Sequence, residues 1–473
     1  MYDLVVIGAG AAGLVSAGFA GKLGLNVGLV SDGHPGGECL WTGCVPSKAL
    51  IRSAHVAHVL KTSQQYGFSR ADYRSEFKAI MDRMRKVREK ISHHDSKETI
   101  EKYGPKVIDG RAKFVSQNAV EVDGQILEAR KFIIATGASQ RIPPIEGLKD
   151  VGCLTHETIF DLEQQPRHLV ILGGGPVGIE FAQTFARLGA KVTIVEMLDR
   201  ILPREEPETS QLLASILIFE NVSILTGHKV IRASREKELK KIFVNGPSGE
   251  IQIDCDAILV STGKSGNTEA LNLSACGVEV EDGFVKVDMH QRTSAANIWA
   301  CGDVCRGYQF THYADHQARI AVMNACLRLP VKREMKVVPW CTFSDPEVAS
   351  VGLREQEAVT RFGKERVSVL KYGLDDFDRA IIDDVATGFV KVSILKNGTI
   401  LGASIVADRA GEMIHEFAIA MKKGMKIQEL AGIMHVYPTM SASIGNAAAQ
   451  YYKQLAANGW QSKLLRMWVD LHK

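Results

Sequence analysis

A strand–turn–helix unit built on Gly-x-Gly-x-x-Gly occurs twice in this chain, and few features restrict a fold more. In the first copy Leu4-Val5-Val6-Ile7 runs into Gly8-Ala9-Gly10-Ala11-Ala12-Gly13, then an apolar stretch from Leu14 to Leu23, then Val27-Gly28-Leu29-Val30. In the second, Leu169-Val170-Ile171-Leu172 runs into Gly173-Gly174-Gly175-Pro176-Val177-Gly178, then Ile179 to Leu188, then Val192-Thr193-Ile194-Val195. The first glycine makes the tight turn, the second lets backbone approach a pyrophosphate, and the third lets the helix pack on its strand. The anion rests at the helix N-terminus, where unpaired N–H groups and the dipole favour it. One such motif is a weak signal; two in full context imply two dinucleotide sites. Each copy also closes on an apolar strand ending in Thr-Gly, Phe132 to Thr136-Gly137 and Ile258 to Thr262-Gly263, suited to cover a nucleotide.

At 473 residues the chain is expected to divide into roughly three domains. A formal net charge of +3 gives no electrostatic case for nucleic acid. The stretch from Leu4 to Gly21 carries no charge, but Asp3 stands where a signal peptide needs Lys or Arg. A buried strand and helix is the better reading, and a cytoplasmic protein is the expectation. The nine cysteines are odd in number and irregularly spaced, which excludes a secreted disulfide framework and structural zinc. Most are read as small buried hydrophobes.

One pair differs. Gly36-Gly37-Glu38-Cys39-Leu40-Trp41-Thr42-Gly43-Cys44-Val45-Pro46-Ser47-Lys48 sets two thiols five positions apart, behind a Gly-Gly turn and ahead of a helical pattern. That arrangement suits a disulfide that opens and closes, and a helix N-terminus or the nearby Lys48 lowers a thiol pKa. In the second nucleotide unit Glu196 ends the strand after the helix, where a carboxylate binds both ribose hydroxyls of NAD and repels a 2′-phosphate. NAD(H) is therefore favoured over NADP(H). In the first unit Ser31 occupies the matching position and Asp32 supplies an acid one residue later.

With two nucleotide folds and Cys39-x4-Cys44-x3-Lys48 in hand, the chain resembles the flavin-dependent pyridine nucleotide-disulfide oxidoreductases, the family of dihydrolipoamide dehydrogenase, glutathione reductase and mercuric reductase. Asn297-Ile298-Trp299-Ala300-Cys301-Gly302-Asp303 looks like the family's second FAD motif, and Thr342 to Gly352 like the start of its dimerisation domain. The resemblance implies an α/β fold of two Rossmann-like domains, for FAD and NAD, plus a C-terminal α+β dimerisation domain. The boundaries it suggests are 1–150 and 265–335 for FAD, 151–264 for NAD(P)H, 336–455 for the interface, and an amphipathic tail over 456–473. It assigns FAD to Gly8, Gly10, Gly13, Ser31, Asp32, Lys48, Thr136, Gly137, Gly302 and Asp303. The nicotinamide cofactor falls to Gly173, Gly175, Gly178, Glu196 and Gly263. Electrons then pass from nicotinamide to flavin to disulfide, with Cys44 facing the flavin, Cys39 attacking the acceptor, and Lys48 paired with Glu180 near the flavin. A homodimer sharing its active sites between subunits is implied as well.

The pattern breaks at its C-terminal end. The family's disulfide reductases carry His-Pro-Thr-x-Ser-Glu, whose His is a general base oriented by the Glu. Here Tyr437 occupies the His position and Ala442 the Glu position. A phenol with pKa near 10 is a poor proton acceptor at pH 7, where imidazole with pKa of about 6.5 is a good one. His435, two residues earlier, is the substitute base on offer. The expected function is transfer from NADH through FAD to Cys39–Cys44 and on to a disulfide-type or sulfur acceptor, such as a lipoyl or thiol group on a partner protein. The alternative is a flavin-dependent reductase of quinones or metal ions. Mercury hand-off through a C-terminal Cys pair has no residues to carry it, since no cysteine follows Cys341. Trp41, between the thiols, reads either as a wall or stacking surface for the acceptor or as plain packing. In the tail Trp460, Leu464, Leu465, Met467, Trp468 and Leu471 form an apolar stripe beside Lys463, Arg466 and Lys473. Docking on the body of the dimer or a membrane-surface contact both suit it.

Overall fold

In the computed structural model, which describes residues 1–69, 74–457 and 467–472, the first glycine unit opens a five-stranded parallel sheet. Its order is Ile298–Ala300, Phe132–Ile134, Leu4–Ile7, Val27–Ser31, Lys106–Asp109. Strands buried on both faces read as unbroken apolar runs, and the alternation sorts them. Leu4 and Val6 face the side covered by helices Ala11–Lys22 and Thr311–Leu327, while Val5 and Ile7 face Phe114 and Val120 of an antiparallel three-stranded meander. The second unit repeats the plan with four parallel strands, ordered Val222–Thr226, Lys191–Glu196, His168–Leu172, Ala257–Val260. There Val170 and Leu172 pack on Val230, Ile242 and Val244 of a second meander.

Both helices begin three residues before the apolar stretches, at Ala11 and Pro176, because the glycine motif itself forms the first turn. The two turns agree closely. Gly8 has φ +104° and Gly173 has φ +109°. A Cβ on Gly13 would lie 1.7 Å from Gly8 O, and one on Gly178 would lie 2.1 Å from Gly173 O. The first glycine of each motif also abuts the closing strand, so a Cβ would meet Ala135 O at 2.4 Å or Ser261 O at 2.6 Å.

The chain divides into two compact units, Met1–Met197 with Asn221–Arg333, and Leu198–Glu220 with Glu334–Lys473. Both nucleotide folds belong to the first. The second is built on an antiparallel sheet ordered Pro339–Thr342, Glu347–Gly352, Ile400–Ala407, Phe389–Leu395, Val367–Gly373. Phe417 and Ile414 of Ala410–Lys423 and Ile444 and Ala447 of Ala442–Ala457 fill its core. Helix Pro207–Phe219, although it connects two strands of the second nucleotide sheet, belongs to this unit. Lys391, whose side chain is 4% exposed, meets Glu206 at 3.1 Å, Glu208 at 3.0 Å and Glu355 at 2.7 Å. Buried Glu205 accepts hydrogen bonds from Trp340 Nε1 (2.5 Å) and Ser350 Oγ (2.7 Å).

No described helix is long and apolar enough to cross a membrane. Of the tail, residues 467–471 are helical with Met467, Trp468 and Leu471 exposed; Trp460, Lys463, Leu464, Leu465, Arg466 and Lys473 lie outside the described residues.

Candidate active site

The thiol run is anchored to the first nucleotide loop. Gly36 (φ +106°) and Gly37 (φ +58°) make a left-handed turn, and Gly37 sits so near Gly10 that a Cβ would come within 2.5 Å of its Cα. A short helix, Gly37–Trp41, carries Cys39, and Cys44 opens the next, Cys44–Thr62. Gly43 lets the chain fold back between them: a Cβ there would meet Glu38 O at 2.8 Å and Cys39 Cα at 3.3 Å.

Cys39 and Cys44 are free thiols that share a hydrogen bond. That bond, Thr311 and Lys48 together bring Cys44 down to about 6 against the pull of burial. The same bond from the other side, reinforced by burial, raises Cys39. Lys48 Nζ donates to Glu180 Oε2 at 2.8 Å, with Glu180 buried on helix Pro176–Arg187. Elsewhere Cys255, Cys276, Cys301 and Cys305 are buried and burial raises their pKa, so they are inert by comparison.

Four residues that pattern reading did not single out converge here. Thr311, first residue of helix Thr311–Leu327, places Oγ1 3.5 Å from Cys44 Sγ and bonds Cys39 as well. Glu38 pairs with Lys264, and Lys264 Nζ lies 3.8 Å from Asp303 Oδ2. His156, 4% exposed, places Nε2 3.4 Å from Glu38 Oε1 with no hydrogen-bond partner. Burial holds His156 below its ordinary pKa and pushes Asp303 up to about 6, the latter moderated by Lys264. These side chains come from segments far apart in sequence and share no period, which is why no pattern flags them.

The remaining site residues fall as follows. Gly302 (φ +77°) donates its N–H to Gln317 Oε1 at 2.9 Å, presenting Asp303. Thr136 Oγ1 donates to Asn267 O at 2.8 Å, while Gly137, Gly175 and Gly263 each face open space where a Cβ would stand. Ser31 Oγ donates to Gly33 O at 2.9 Å within its own turn, and Asp32 pairs with Arg111, 79 residues on, at 2.7 Å. Glu196 is buried at its strand end and accepts from Gly174 N at 2.6 Å, which ties the carboxylate to the second glycine loop. Trp41 donates to Pro35 O at 2.8 Å and lies beneath Arg88 and beside His34, a packed residue of its own unit.

Tyr437 and His435 lie in the C-terminal unit. Tyr437, 71% exposed, donates to Asp378 Oδ2 at 2.8 Å, and that bond raises its pKa, so the phenol stays protonated at neutral pH. His435 has Nε2 3.0 Å from Glu416 Oε1 and Nδ1 3.1 Å from Ile433 O. His435 is thus paired with a carboxylate of its own unit.

The open faces of Gly137 and Gly175, the Gly10–Gly37 approach and the orphaned His156 nitrogen fit two bound dinucleotides beside a dithiol. Fold and site define a protein with two dinucleotide-binding folds and a thiol pair held against the first of them. Residues 2–318 match the pyridine nucleotide-disulphide oxidoreductase family and residues 338–448 its dimerisation domain, and the chain belongs to that family. Membership makes it a flavin-dependent, nicotinamide-dependent oxidoreductase equipped to form a homodimer. Among its relatives, a mercuric reductase of Lysinibacillus sphaericus is 34% identical over 456 residues, covering 96% of this chain and 83% of that protein. A dihydrolipoyl dehydrogenase of Bacillus subtilis (strain 168) is 32% identical over 475 residues, covering 97% and 98%. The solved Cu(II) complex of the HOCl-induced flavoprotein disulfide reductase RclA from Escherichia coli superposes with a TM-score of 0.84 at 30% identity, covering 95% and 99%.

Proposed function

We propose that this protein takes electrons from NADH onto the Cys39–Cys44 pair and delivers them to a thiophilic metal ion of the Cu(II) class. Bound FAD supplies the two-electron relay between nicotinamide and the pair. The observation that carries the reading is a dithiol whose Cys44 is held near pKa 6 while Tyr437, at the position of the family's base, is a phenol that donates to Asp378. Reducing a disulfide requires a proton for the leaving thiolate, and a missing general acid–base group typically costs about 10²–10⁴-fold. Reducing a soft cation requires thiolate ligands and no such proton. The balance is one thiol and one thiolate plus two Cu(II) giving a disulfide, two Cu(I) and one proton.

Each residue has a part in this scheme. Lys48, paired with Glu180, keeps positive charge beside Cys44. Asp303, beside Lys264 and Glu38, would hold the flavin's polar chain, and Glu196 would favour the ribose without a 2′-phosphate. A disulfide-type acceptor such as a lipoyl group is the second reading, supported by the length-matched dihydrolipoyl dehydrogenase relative.

One experiment separates them. FAD-loaded protein is reduced anaerobically with NADH or NADPH, a long-wavelength charge-transfer band is recorded, and turnover is followed with Cu(II) or lipoamide in wild type and Cys39→Ser. The expected outcome is the band with NADH, Cu(II) turnover that vanishes in Cys39→Ser, and lipoamide turnover slower by about 10²-fold or more. Rapid lipoamide turnover at pH 7 defeats the metal reading, and Cu(II) turnover that survives Cys39→Ser removes the dithiol from it.

A further inference from the structure

The dithiol has a proton problem of its own. After reduction one proton and one negative charge are shared by two sulfurs, and Cys39, the outer thiol, must lose its proton before it can meet an acceptor. The structure places the Thr311 hydroxyl against both sulfurs: Oγ1 is 3.5 Å from Cys44 Sγ and hydrogen-bonds Cys39 as well, while the thiols hydrogen-bond each other.

We propose that Thr311 is a catalytic residue whose hydroxyl donates to whichever sulfur carries the charge, so that the proton crosses from Cys39 to Cys44 inside the pair. No imidazole is required. The S–H bond of Cys39 breaks, an S–H bond forms on Cys44, and the negative charge moves outward by one sulfur with no change in oxidation state. Thr311 supplies the hydrogen bond that each thiolate needs in turn, and hydrogen bonding to the charged form favours it. Its position reinforces this, because it opens a 17-residue helix whose free N–H groups and dipole favour an anion there. Lys48, Glu180 and Asp303 also act on Cys44 through their charge. The inference rests on the dithiol electron path above and deepens it.

The test compares Thr311→Val, nearly isosteric without the hydroxyl, with Thr311→Ser, which keeps it. In NADH-reduced, FAD-loaded protein the charge-transfer absorbance is titrated with pH to report the Cys44 thiolate. Alkylation of Cys39 by iodoacetamide, read by peptide mass, reports the outer sulfur. In Thr311→Val the absorbance midpoint is expected to rise by about one pH unit and Cys39 alkylation at pH 7 to slow about tenfold. Thr311→Ser is expected to stay within about twofold of wild type. An unchanged midpoint and alkylation profile in Thr311→Val overturns the proposal, as does a Ser variant that shifts as far as Val. If Thr311→Val does not retain FAD, the same alkylation profiles on chemically reduced, flavin-free wild type, Thr311→Ser and Thr311→Ala decide the matter. A wild type without any charge-transfer band defeats the electron path instead, while the alkylation profiles still judge Thr311.

Discussion

A cysteine at its ordinary pKa near 8.5 is only a few per cent thiolate at pH 7, whereas Cys44 at about 6 is mostly ionised. The opposite environment raises Cys255 and Cys301 to about 12, where burial outweighs the charge of Lys240 on the first and the hydroxyl of Ser16 on the second. Asp303 shows the same desolvation acting on a carboxyl, moved from 3.8 to about 6. An acid whose folded pKa lies above its unfolded one binds its proton more tightly when folded. Its charged form therefore costs stability in full above pH 6 and nothing below about pH 4. Asp303→Asn is expected to stabilise the FAD-free protein at pH 8 by on the order of 1–3 kcal/mol, with the gain fading as pH falls through that window. Urea midpoints at pH 8 and pH 4.5 test it; an equal gap at both contradicts the sign. At this scale sequence was informative where residues share one run, as Cys39, Cys44 and Lys48 do. Glu180 entered through family resemblance, and Thr311, Lys264 and His156 through neither, because only the folded chain brings them to the thiols.

The element that reads most clearly from sequence is the glycine turn, because its determinants are local. Strand burial, a left-handed first glycine and a third glycine without room for a methyl group all fall within about ten residues. The structure adds why alanine fails: at Gly13 and Gly178 the added carbon meets backbone carbonyl oxygen, not a side chain that can turn away. Each loop can then be disabled alone. Gly13→Ala is expected to yield protein that loses its yellow flavin during purification. Gly178→Ala is expected to keep flavin but weaken NADH binding by at least about tenfold. Flavin absorbance per chain and NADH titration provide the check, and a flavin-replete Gly13→Ala protein contradicts it. The helix starts, Ala11 and Pro176, lie three residues ahead of the apolar stretches because the glycine motif itself supplies the first turn.

Across the whole molecule, the allegiance of Leu198–Glu220 was not legible. Its neighbours in sequence are strands of a nucleotide fold, and nothing local says that Glu205 and Glu206 seek partners 135 and 185 residues further on. Lys391 is the buried cation among three carboxylates, and removing one side of such a cluster typically costs about 3–5 kcal/mol. Lys391→Met is therefore expected to unfold the C-terminal unit at lower denaturant concentration, by about that amount. Limited proteolysis and tryptophan emission, which Trp340 reports within that unit, would follow it; an unchanged midpoint contradicts the prediction.

The stitching of this helix into the C-terminal unit also bears on how such a chain can be inherited. A gene fragment for the second nucleotide fold cannot be moved cleanly into another protein. It would carry Glu206 and Glu208 away from their cation, and leave behind a lysine stripped of two of its acids. Exchange of modules by recombination is closed at this point, and change must come by substitution within the existing frame.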